Sequence, residues 1–299
     1  MRVLILGASG MLGHVLFKKL STKQGLEVFG TIRTASPPSG VFTVAEETRI
    51  RPAVDADNFD TIIRAFAAIQ PHLVINCVGL IKQLPSSADP LSAVTINSQL
   101  PHRISLVCRT AGARLIHIST DCVFNGTKGN YSEADPSDAL DLYGRTKFLG
   151  EVSYPPHCLT LRTSIIGHEI KNYLSLVEWF LGQSNPVNGY CQAFFSGLTT
   201  LEMTQVLTDH VIPNPALTGL FHVSTSPISK HDLLQLIKHE YSAKAPIVPD
   251  NSVRVDRTLD SSAFRSATGY HPPTWPDLIR NMHQDFQSAS YYKKTGNRQ

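Results

Sequence analysis

The chain begins Met1-Arg2-Val3-Leu4-Ile5-Leu6-Gly7-Ala8-Ser9-Gly10-Met11-Leu12-Gly13, and this stretch predicts a strand, a glycine turn and a helix without interruption. Four consecutive apolar residues are typical of a strand buried in a parallel sheet, and residues 12–20 have the periodicity of an amphipathic helix. The spacing G-x-x-G-x-x-G lets backbone N–H groups and the positive helix end face a pyrophosphate. An ordinary strand-to-helix connection is the alternative. We favour a dinucleotide site, with these cofactor-binding candidates: Gly7, Ser9, Gly10, Met11, Leu12 and Gly13.

The second predicted strand, residues 26–33, ends without a carboxylate. An NAD-dependent enzyme often has an acid at this point for the ribose 2′-hydroxyl. Arg33 instead offers a guanidinium to a 2′-phosphate, and a solvated surface arginine is the alternative. The sequence therefore favours NADPH, with NADH also compatible. Asp55, after a predicted third strand, is a candidate for the adenine ring or an exposed loop acid.

Strand and helix patterns alternate along the next part of the chain. The segments are predicted helices at 58–68, 91–109 and 143–152, and predicted strands at 73–76, 113–119 and 158–162. This alternation predicts an α/β fold with a doubly wound, Rossmann-like parallel sheet. Ligands of such sheets bind beyond the carboxyl ends of the strands. Cys77, Val78 and Gly79 should therefore face the same crevice as Gly10 and Thr120.

The pattern after residue 162 is less regular, which predicts a smaller, intertwined C-terminal substrate lobe. We expect the dinucleotide-binding domain to comprise residues 1–163 with returning segments from about 197–235. The substrate lobe should comprise about 164–196 and 236–290. A turn-rich stretch is expected near 184–197, and the basic end, 291–299, is expected to be a flexible tail.

A possible acid for catalysis is Tyr143, in Tyr143-Gly144-Arg145-Thr146-Lys147. Residues four apart share one face of a helix, so Lys147 can place its ammonium near the phenol and bias it toward ionisation. Reduction of a ketone needs a proton on oxygen while hydride reaches carbon, and Thr120 can hold the carbonyl. An exposed helical face with a half-buried tyrosine is the alternative. The order of glycine turn, Ser-Thr-Asp and Tyr/Lys pair favours a nicotinamide-dependent carbonyl reductase.

Composition sets limits on the function. The 299 residues carry a net charge of +3, which is too small to argue for nucleic acid. Five scattered cysteines and twelve histidines show no spacing of a metal site or a disulfide framework. No segment is long and apolar enough to cross a membrane, and a core strand begins directly after Arg2, so we expect a cytoplasmic protein without metal. A homodimer is compatible with the sequence.

Longer motifs carry a resemblance to a known family. They are Ile118-Ser119-Thr120-Asp121-Cys122-Val123-Phe124-Asn125-Gly126, then Gly129-Asn130-Tyr131-Ser132-Glu133, then Leu142-Tyr143-Gly144-Arg145-Thr146-Lys147. Over nearly its whole length the chain resembles an extended short-chain dehydrogenase/reductase, and most closely the dTDP-4-dehydrorhamnose reductase family. The resemblance implies a catalytic triad of Thr120, Tyr143 and Lys147, with Lys147 also holding the nicotinamide ribose. It further implies that Asn97 supports a proton-relay water, and Asp121 is grouped with the catalytic residues.

The resemblance implies NADPH-dependent reduction of the 4-keto group of a nucleotide-linked 4-keto-6-deoxy sugar, for surface glycans or deoxysugar metabolites. Related sugar-nucleotide 4,6-dehydratases carry Thr-Asp-Glu, whereas this chain has Cys122 in place of the glutamate. An elimination would lack its acid, so reduction is favoured. The family commonly has tyrosine at this position, so Cys122 is also a departure from it.

The expected substrate contacts include Thr120, Asp121 and Tyr143. Further candidates are Lys82, Arg162, Asn172, Ser196 and Arg257. Lys82 can pair with a substrate diphosphate, pair with Asp121 or lie solvated on the surface, and the others can equally pack the lobes together. Two other functions stay open at this point. One is an NADP-binding regulatory subunit like the methionine adenosyltransferase β subunit, and the other is a nucleotide-sugar epimerase with tightly held NAD.

Overall fold

A computed structural model describes residues 1–82, 88–153 and 156–294. Its strands are β1 (Arg2–Leu6), β2 (Glu27–Thr31), β3 (Ile50–Arg51), β4 (Leu73–Asn76), β5 (Arg114–Thr120), β6 (Cys158–Thr163), β7 (Ile165–Ile166), β8 (Val187–Phe195), β9 (Leu198–Thr199), β10 (Gly219–His222), β11 (Ile228–Ser229) and β12 (Ile247–Asp256). Its α-helices are α1 (Met11–Leu20), α2 (Val44–Glu47), α3 (Phe59–Ile69), α4 (Pro90–Ala93), α5 (Leu100–Thr110), α6 (Leu142–Leu149), α7 (Leu176–Leu181), α8 (Thr200–Val206), α9 (Lys230–Tyr241), α10 (Ser262–Thr268), α11 (Trp275–Ser288) and α12 (Ser290–Lys294). Wider π-helical turns, Val94–Gln99 and Leu207–Val211, follow α4 and α8.

A seven-stranded sheet forms the larger layer, in the order β10-β6-β5-β4-β1-β2-β3. All of its neighbouring strands are parallel. The strand order reverses between β1 and β4, and such a reversal opens a crevice at the carboxyl ends of the strands. The predicted doubly wound, Rossmann-like α/β fold is confirmed.

Strand β1 shows how the sequence builds both faces of this sheet. Its residues alternate, so that Val3 and Ile5 join one buried cluster with Phe17 of α1. Leu4 joins a second buried cluster on the opposite face. Side chains alternate across a strand, so an all-apolar strand requires a helical layer on each side.

A second, three-stranded sheet has the order β11-β8-β12. Strand β8 pairs in parallel with β12 and antiparallel with β11. The sequence predicts a turn-rich stretch near 184–197, and the structure corrects this expectation with the nine-residue strand β8. The sequence of β8 does not indicate a strand, because Asn188 and Gly189 interrupt the apolar pattern and much of the strand is only half-buried. The division into two lobes stays a prediction.

The end of the chain also differs from the expected flexible tail at 291–299. Helix α12 includes Tyr292, which is 7% exposed and whose hydroxyl lies 2.9 Å from His14 Nε2. Tyr291 lies with its ring centroid 4.5 Å from that of Tyr292. Burial of two aromatic rings outweighs the basic character of this segment, so the tail prediction is wrong for these residues. Residues 295–299 of the expected tail lie outside the described residues.

Candidate active site

The glycine turn leaves the start of α1 open to the crevice. Gly10 is the N-cap of α1 and provides no side-chain cap, and its own N–H donates to Gly7 O at 2.9 Å. Gly7 has a φ of +84°, a conformation that favours glycine. A Cβ at Gly13 would lie 2.1 Å from Gly7 O, so α1 approaches the turn too closely for a side chain. Uncapped N–H groups on a glycine-lined surface fit a pyrophosphate. Ser9, Met11 and Leu12 lie in the same turn and first helical residues.

The end of β4 lies against this turn. A Cβ at Gly7 would be 3.2 Å from Val78 Cγ2 and 3.5 Å from the Cys77 carbonyl carbon. Gly79 lies near the predicted catalytic residues, since a Cβ added to it would be 3.9 Å from Lys147 Nζ. The structure thus brings together the predicted cofactor residues of β1 and β4.

The end of β2 borders the other side of the turn. Ala8 donates its N–H to Thr31 O at 2.8 Å, and Arg33 follows two residues later as an exposed side chain. Val54 donates to Ile32 O at 3.0 Å, which places Asp55 beside β2. The Asp55 carboxylate accepts the N–H of Asp57 at 3.2 Å within its own loop.

Tyr143 and Thr120 meet at the end of β5. Thr120 Oγ1 donates to Asp121 Oδ1 at 3.1 Å and accepts the Cys122 N–H at 3.1 Å, and the Thr120 side chain lies close enough to the Tyr143 phenol to act on its pKa. Asp141 starts α6 by accepting the Gly144 N–H at 2.8 Å. A Cβ at Gly144 would lie 2.2 Å from Cys122 O, so glycine after the tyrosine lets α6 approach the segment that follows β5. Local sequence therefore sets the position of the phenol.

The pKa values differ from the expected bias of Tyr143 toward ionisation. Burial raises the pKa of Tyr143 and outweighs the lowering effect of the Thr120 side chain. Lys147 instead donates from Nζ to Ile118 O at 2.9 Å, and burial lowers its pKa to about 8. A neutral phenol at physiological pH holds the proton that an acid must donate.

Asn97 lies in the π-helical turn and is 1% exposed. Its Oδ1 accepts the Leu80 N–H at 2.9 Å, and its Nδ2 donates to Leu80 O at 3.3 Å. The side chain therefore fixes the loop after β4, with Gly79 directly beside it. A role in a water relay stays a prediction.

Asp121 and Cys122 continue from Thr120 into a short 3₁₀ turn. Burial raises the pKa of Asp121, while the charges of Arg257 and Lys230 act in the opposite direction. Burial, with the adjacent Asp121 carboxylate, raises the pKa of Cys122 to about 12. A thiol with this pKa stays neutral, so it does not replace a carboxylate chemically.

Lys230 is a candidate that sequence reasoning missed. It begins α9, where its Nζ lies 4.3 Å from the Phe195 ring centroid. Its charge reaches both Asp121 and Cys122, so it borders the crevice. The one sequence signal is a lysine in the first turn of a helix, where the dipole disfavours a cation.

The side chains of two predicted substrate-binding residues, Lys82 and Arg257, lie near this crevice. Lys82 pairs with Asp141 at 2.7 Å, not with Asp121, and its Nζ lies 5.5 Å from the Tyr143 ring centroid. Arg257 donates to Phe124 O at 2.8 Å, and its charge reaches Asp121.

The three other predicted substrate-binding residues are either buried in packing contacts or exposed on the surface. Arg162 is 2% exposed, and its guanidinium donates to both oxygens of Glu151 at 2.8 Å. Ser196 is buried and accepts the Leu259 N–H at 2.9 Å. Asn172 is exposed with a φ of +71°. We leave Arg162 and Ser196 out of the proposed binding set, because their polar groups are engaged in packing.

A cavity of about 770 Å³ lies elsewhere, at the amino-terminal edge of the large sheet. Its lining includes Arg2, Phe66, His72 and Leu106. Ligands of doubly wound sheets bind at the opposite edge, so we do not assign the reaction to this cavity.

The parallel sheet with a glycine turn after β1, and the Tyr-x-x-x-Lys helix beside a hydroxyl at the end of β5, define an extended short-chain dehydrogenase/reductase. Within that class, the family described as the RmlD substrate binding domain matches residues 1–288, and the chain belongs to this family. The predicted family and the predicted class of oxidoreductase are confirmed.

Two curated relatives illustrate the range of the family. The chain is 31% identical over 308 residues to methionine adenosyltransferase 2 subunit beta of Mus musculus, covering 93% of this chain and 88% of that protein. It is 26% identical to the probable low-salt glycan biosynthesis reductase Agl14 of Haloferax volcanii, covering 97% and 100%. The structure of dTDP-4-dehydrorhamnose reductase from Bacillus anthracis in complex with NADP has a similar fold, with a TM-score of 0.78, 19% identity, and coverage of 95% and 99%.

Across the described ranges, no group of histidine, cysteine, aspartate and glutamate side chains is arranged to hold a metal ion. The helices of these ranges are also too short or too polar to span a bilayer.

Proposed function

We propose that this protein reduces the 4-keto group of a nucleotide-linked 4-keto-6-deoxy sugar with NADPH. The observation that carries the proposal is the proximity of the Thr120 and Tyr143 side chains at the carboxyl end of β5, in the crevice that the glycine turn also borders. Similarity to a reductase of glycan biosynthesis supports this substrate class. The product would be a deoxysugar for a surface glycan or a related metabolite.

The cofactor would lie across the carboxyl edge of β1, β2 and β4. The uncapped start of α1 would bind the pyrophosphate, and Arg33 would contact a 2′-phosphate. Lys147 would hold the nicotinamide ribose, close to Gly79. When bound, NADPH supplies the hydride.

Tyr143 would protonate the ketone oxygen as that oxygen gains negative charge. Thr120 would hydrogen-bond the same oxygen and orient the carbonyl. The raised pKa of Tyr143 keeps its proton in place before the reaction. Cys122 stays a neutral thiol beside Asp121, so the pair lacks the second acid that an elimination would need.

The substrate's diphosphate would lie among three cations, Lys82, Lys230 and Arg257. Lys230 and Arg257 share Asp121 as an electrostatic neighbour, and Lys82 lies over the Tyr143 ring. This arrangement would place the sugar end of the substrate beside the phenol and the charged end toward α9.

Lys230→Met tests this placement. We expect KM for the sugar nucleotide to rise roughly 10- to 100-fold, as for the loss of a hydrogen bond to a charged group, with unchanged NADPH affinity. Steady-state kinetics and cofactor titration measure the two quantities. Lys244→Met, at an exposed lysine in the α9–β12 connection, is the matched control. An unchanged KM would remove Lys230 from the substrate site.

The test of the function is the decay of NADPH absorbance with purified protein and a panel of dTDP-, UDP-, GDP- and CDP-linked 4-keto-6-deoxy sugars. NADH is assayed in parallel. Decay with one nucleotide series supports the reductase and defines the substrate, whereas NADPH binding without decay across the panel contradicts it. An epimerase would interconvert sugar nucleotides without net oxidation of NADPH.

Lys147 predicts a pH dependence of cofactor binding. Its ammonium is charged below a pKa of about 8 and loses its proton as the pH rises through that value. NADH is the ligand to use, because it lacks the 2′-phosphate, whose own titration would add to that of Lys147. We expect the Kd of NADH to be constant near pH 7 and to rise above about pH 8, by up to about tenfold per pH unit. Fluorescence titration measures it. Lys147→Arg should move the onset to higher pH, and a flat wild-type profile would argue against an ionic role.

A second candidate is a regulatory subunit, favoured by the 31% identity to methionine adenosyltransferase 2 subunit beta. The Thr120, Tyr143 and Lys147 set is compatible with either function. Co-elution with a purified methionine adenosyltransferase catalytic subunit, together with inactivity across the sugar panel, would favour this candidate.

We further propose a cytoplasmic homodimer divided into a dinucleotide-binding domain and a substrate lobe. Light scattering during gel filtration measures the mass of the assembly, and a monomer at micromolar concentration would contradict the dimer.

A further inference from the structure

Lys171 makes a contact that joins two distant parts of the chain. Its Nζ donates to Ser9 Oγ at 2.9 Å. Ser9 lies in the glycine turn, whereas Lys171 lies between β7 and α7, in the segment assigned to the substrate lobe. A cation from the other lobe thus reaches the turn at which the cofactor would bind.

The loop that carries Lys171 is closed by its own hydrogen bonds. Glu169 Oε2 accepts the N–H groups of Leu174 and Ser175 at 2.6 and 2.8 Å. Ser175 Oγ donates to Gly167 O at 3.0 Å. Lys171 precedes the turn of this loop, at Asn172, which has a φ of +71°. These contacts close the loop that carries Lys171, without using its bond to Ser9.

Arg33 lies close enough for its charge to act on Lys171. Burial lowers the pKa of Lys171 and the Arg33 guanidinium lowers it further, while the charge of Glu169 acts in the opposite direction. No carboxylate forms an ion pair with either cation within residues 1–82, 88–153 and 156–294. Two neighbouring cations repel each other, and an anion placed between them would remove that cost.

We propose that Lys171, Arg33 and Ser9 together bind the 2′-phosphate on the adenosine ribose of NADPH, so that Lys171 sets the preference for NADPH over NADH. Ser9 is suitably placed for this role, because it follows Ala8, whose N–H donates a hydrogen bond to Thr31 O at the end of β2. In this fold the ribose 2′ position lies near the end of β2. A phosphate monoester accepts hydrogen bonds from a lysine, an arginine and a hydroxyl at once. This inference rests on the cofactor of the proposed function and adds a residue outside the dinucleotide-binding segment.

The experiment measures the Kd values of NADPH and NADH in the absence of any sugar nucleotide, for the full chain and its variants. Lys171→Gln keeps a donor for Ser9 but removes the charge, and Lys171→Arg keeps the charge. Lys244→Gln changes the net charge equally at an exposed position in the α9–β12 connection. We expect Lys171→Gln to weaken NADPH binding roughly 10- to 100-fold with NADH affinity within about twofold of wild type, as for the loss of a hydrogen bond to a charged group.

Lys171→Arg should preserve most of the NADPH preference, and Lys244→Gln all of it. Equal losses of both cofactors in Lys171→Gln would show that Lys171 only anchors the loop, and would overturn the proposal. Wild-type protein that binds NADH as tightly as NADPH would also overturn it. The measured quantity is cofactor affinity, so this inference and the proposed function can be tested separately. The protein can prefer NADPH through Lys171 without reducing any sugar nucleotide of the panel, and it can be a reductase in which Lys171 has no effect on cofactor affinity.

Discussion

Tyr143→Phe is expected to lower kcat for the keto sugar nucleotide by roughly a hundred- to ten-thousandfold, the range for loss of a general acid. The substitution removes only the hydroxyl, which lies close to the Thr120 side chain. The helix start should be unaffected, because its cap is the Asp141 carboxylate accepting the Gly144 N–H, without the Tyr143 side chain. NADPH affinity and the thermal midpoint should therefore stay near the wild-type values.

Tyr190→Phe is the matched control, because this half-buried tyrosine of β8 lies in the second sheet. Its kcat should be unchanged. Stopped-flow measurement of a single turnover separates the chemical step from product release. Tyr143→Phe protein that folds normally and retains a single-turnover rate within threefold of wild type would contradict the assignment of Tyr143 as the acid.

The larger sheet was predictable because its strands carry the apolar pattern of full burial. Strand β4 was predicted at 73–76, and the structure has Leu73–Asn76 with every residue buried. Helix α3 was predicted at 58–68, and it spans Phe59–Ile69 with its buried residues on one face. Where tertiary burial and local pattern agree, sequence alone places an element to within a residue or two.

The second sheet was not predictable by the same reasoning. Strand β12 contains Pro249, Asp250 and Asn251, which are unfavourable in strands, and most of its residues are half-buried or exposed. Strand β12 is stabilised by its hydrogen bonds to β8, and the register of this pairing shifts after Asp250. Such strands depend on a partner distant in the chain.

The candidate site divides in a similar way. Motifs with fixed spacing, such as Tyr143 to Lys147, indicated a pair on one helix, but not that Lys147 would donate to Ile118 O. Lys171 and Lys230 have no motif at all, because each reaches the crevice from a separate segment through tertiary folding. Isolated cations of this kind become candidates only when the distances are known.

Gly13→Ala is expected to abolish measurable binding of NADPH and NADH alike. The added Cβ would lie 2.1 Å from Gly7 O and 3.1 Å from Ala8 Cα, and both of these atoms are backbone. No side-chain rotation relieves such a contact, so α1 or the turn must shift, at a cost of about 1–3 kcal/mol in the free energy of unfolding. A shift of the turn would disturb the Gly10–Gly7 hydrogen bond and the N–H groups proposed for the pyrophosphate.

Gly182→Ala is the control, because the added Cβ would make only ordinary contacts, with Glu178 O at 3.5 Å and Trp179 O at 3.6 Å. Denaturant unfolding and calorimetric titration of both cofactors measure the two effects. Wild-type affinity in a stable Gly13→Ala protein would mean that the cofactor does not use this turn. A loss shared by NADPH and NADH here, beside a loss confined to NADPH in Lys171→Gln, would separate the two parts of the site. The close approach of α1 would then account for dinucleotide binding, and Lys171, between β7 and α7, would account for the choice between the two cofactors.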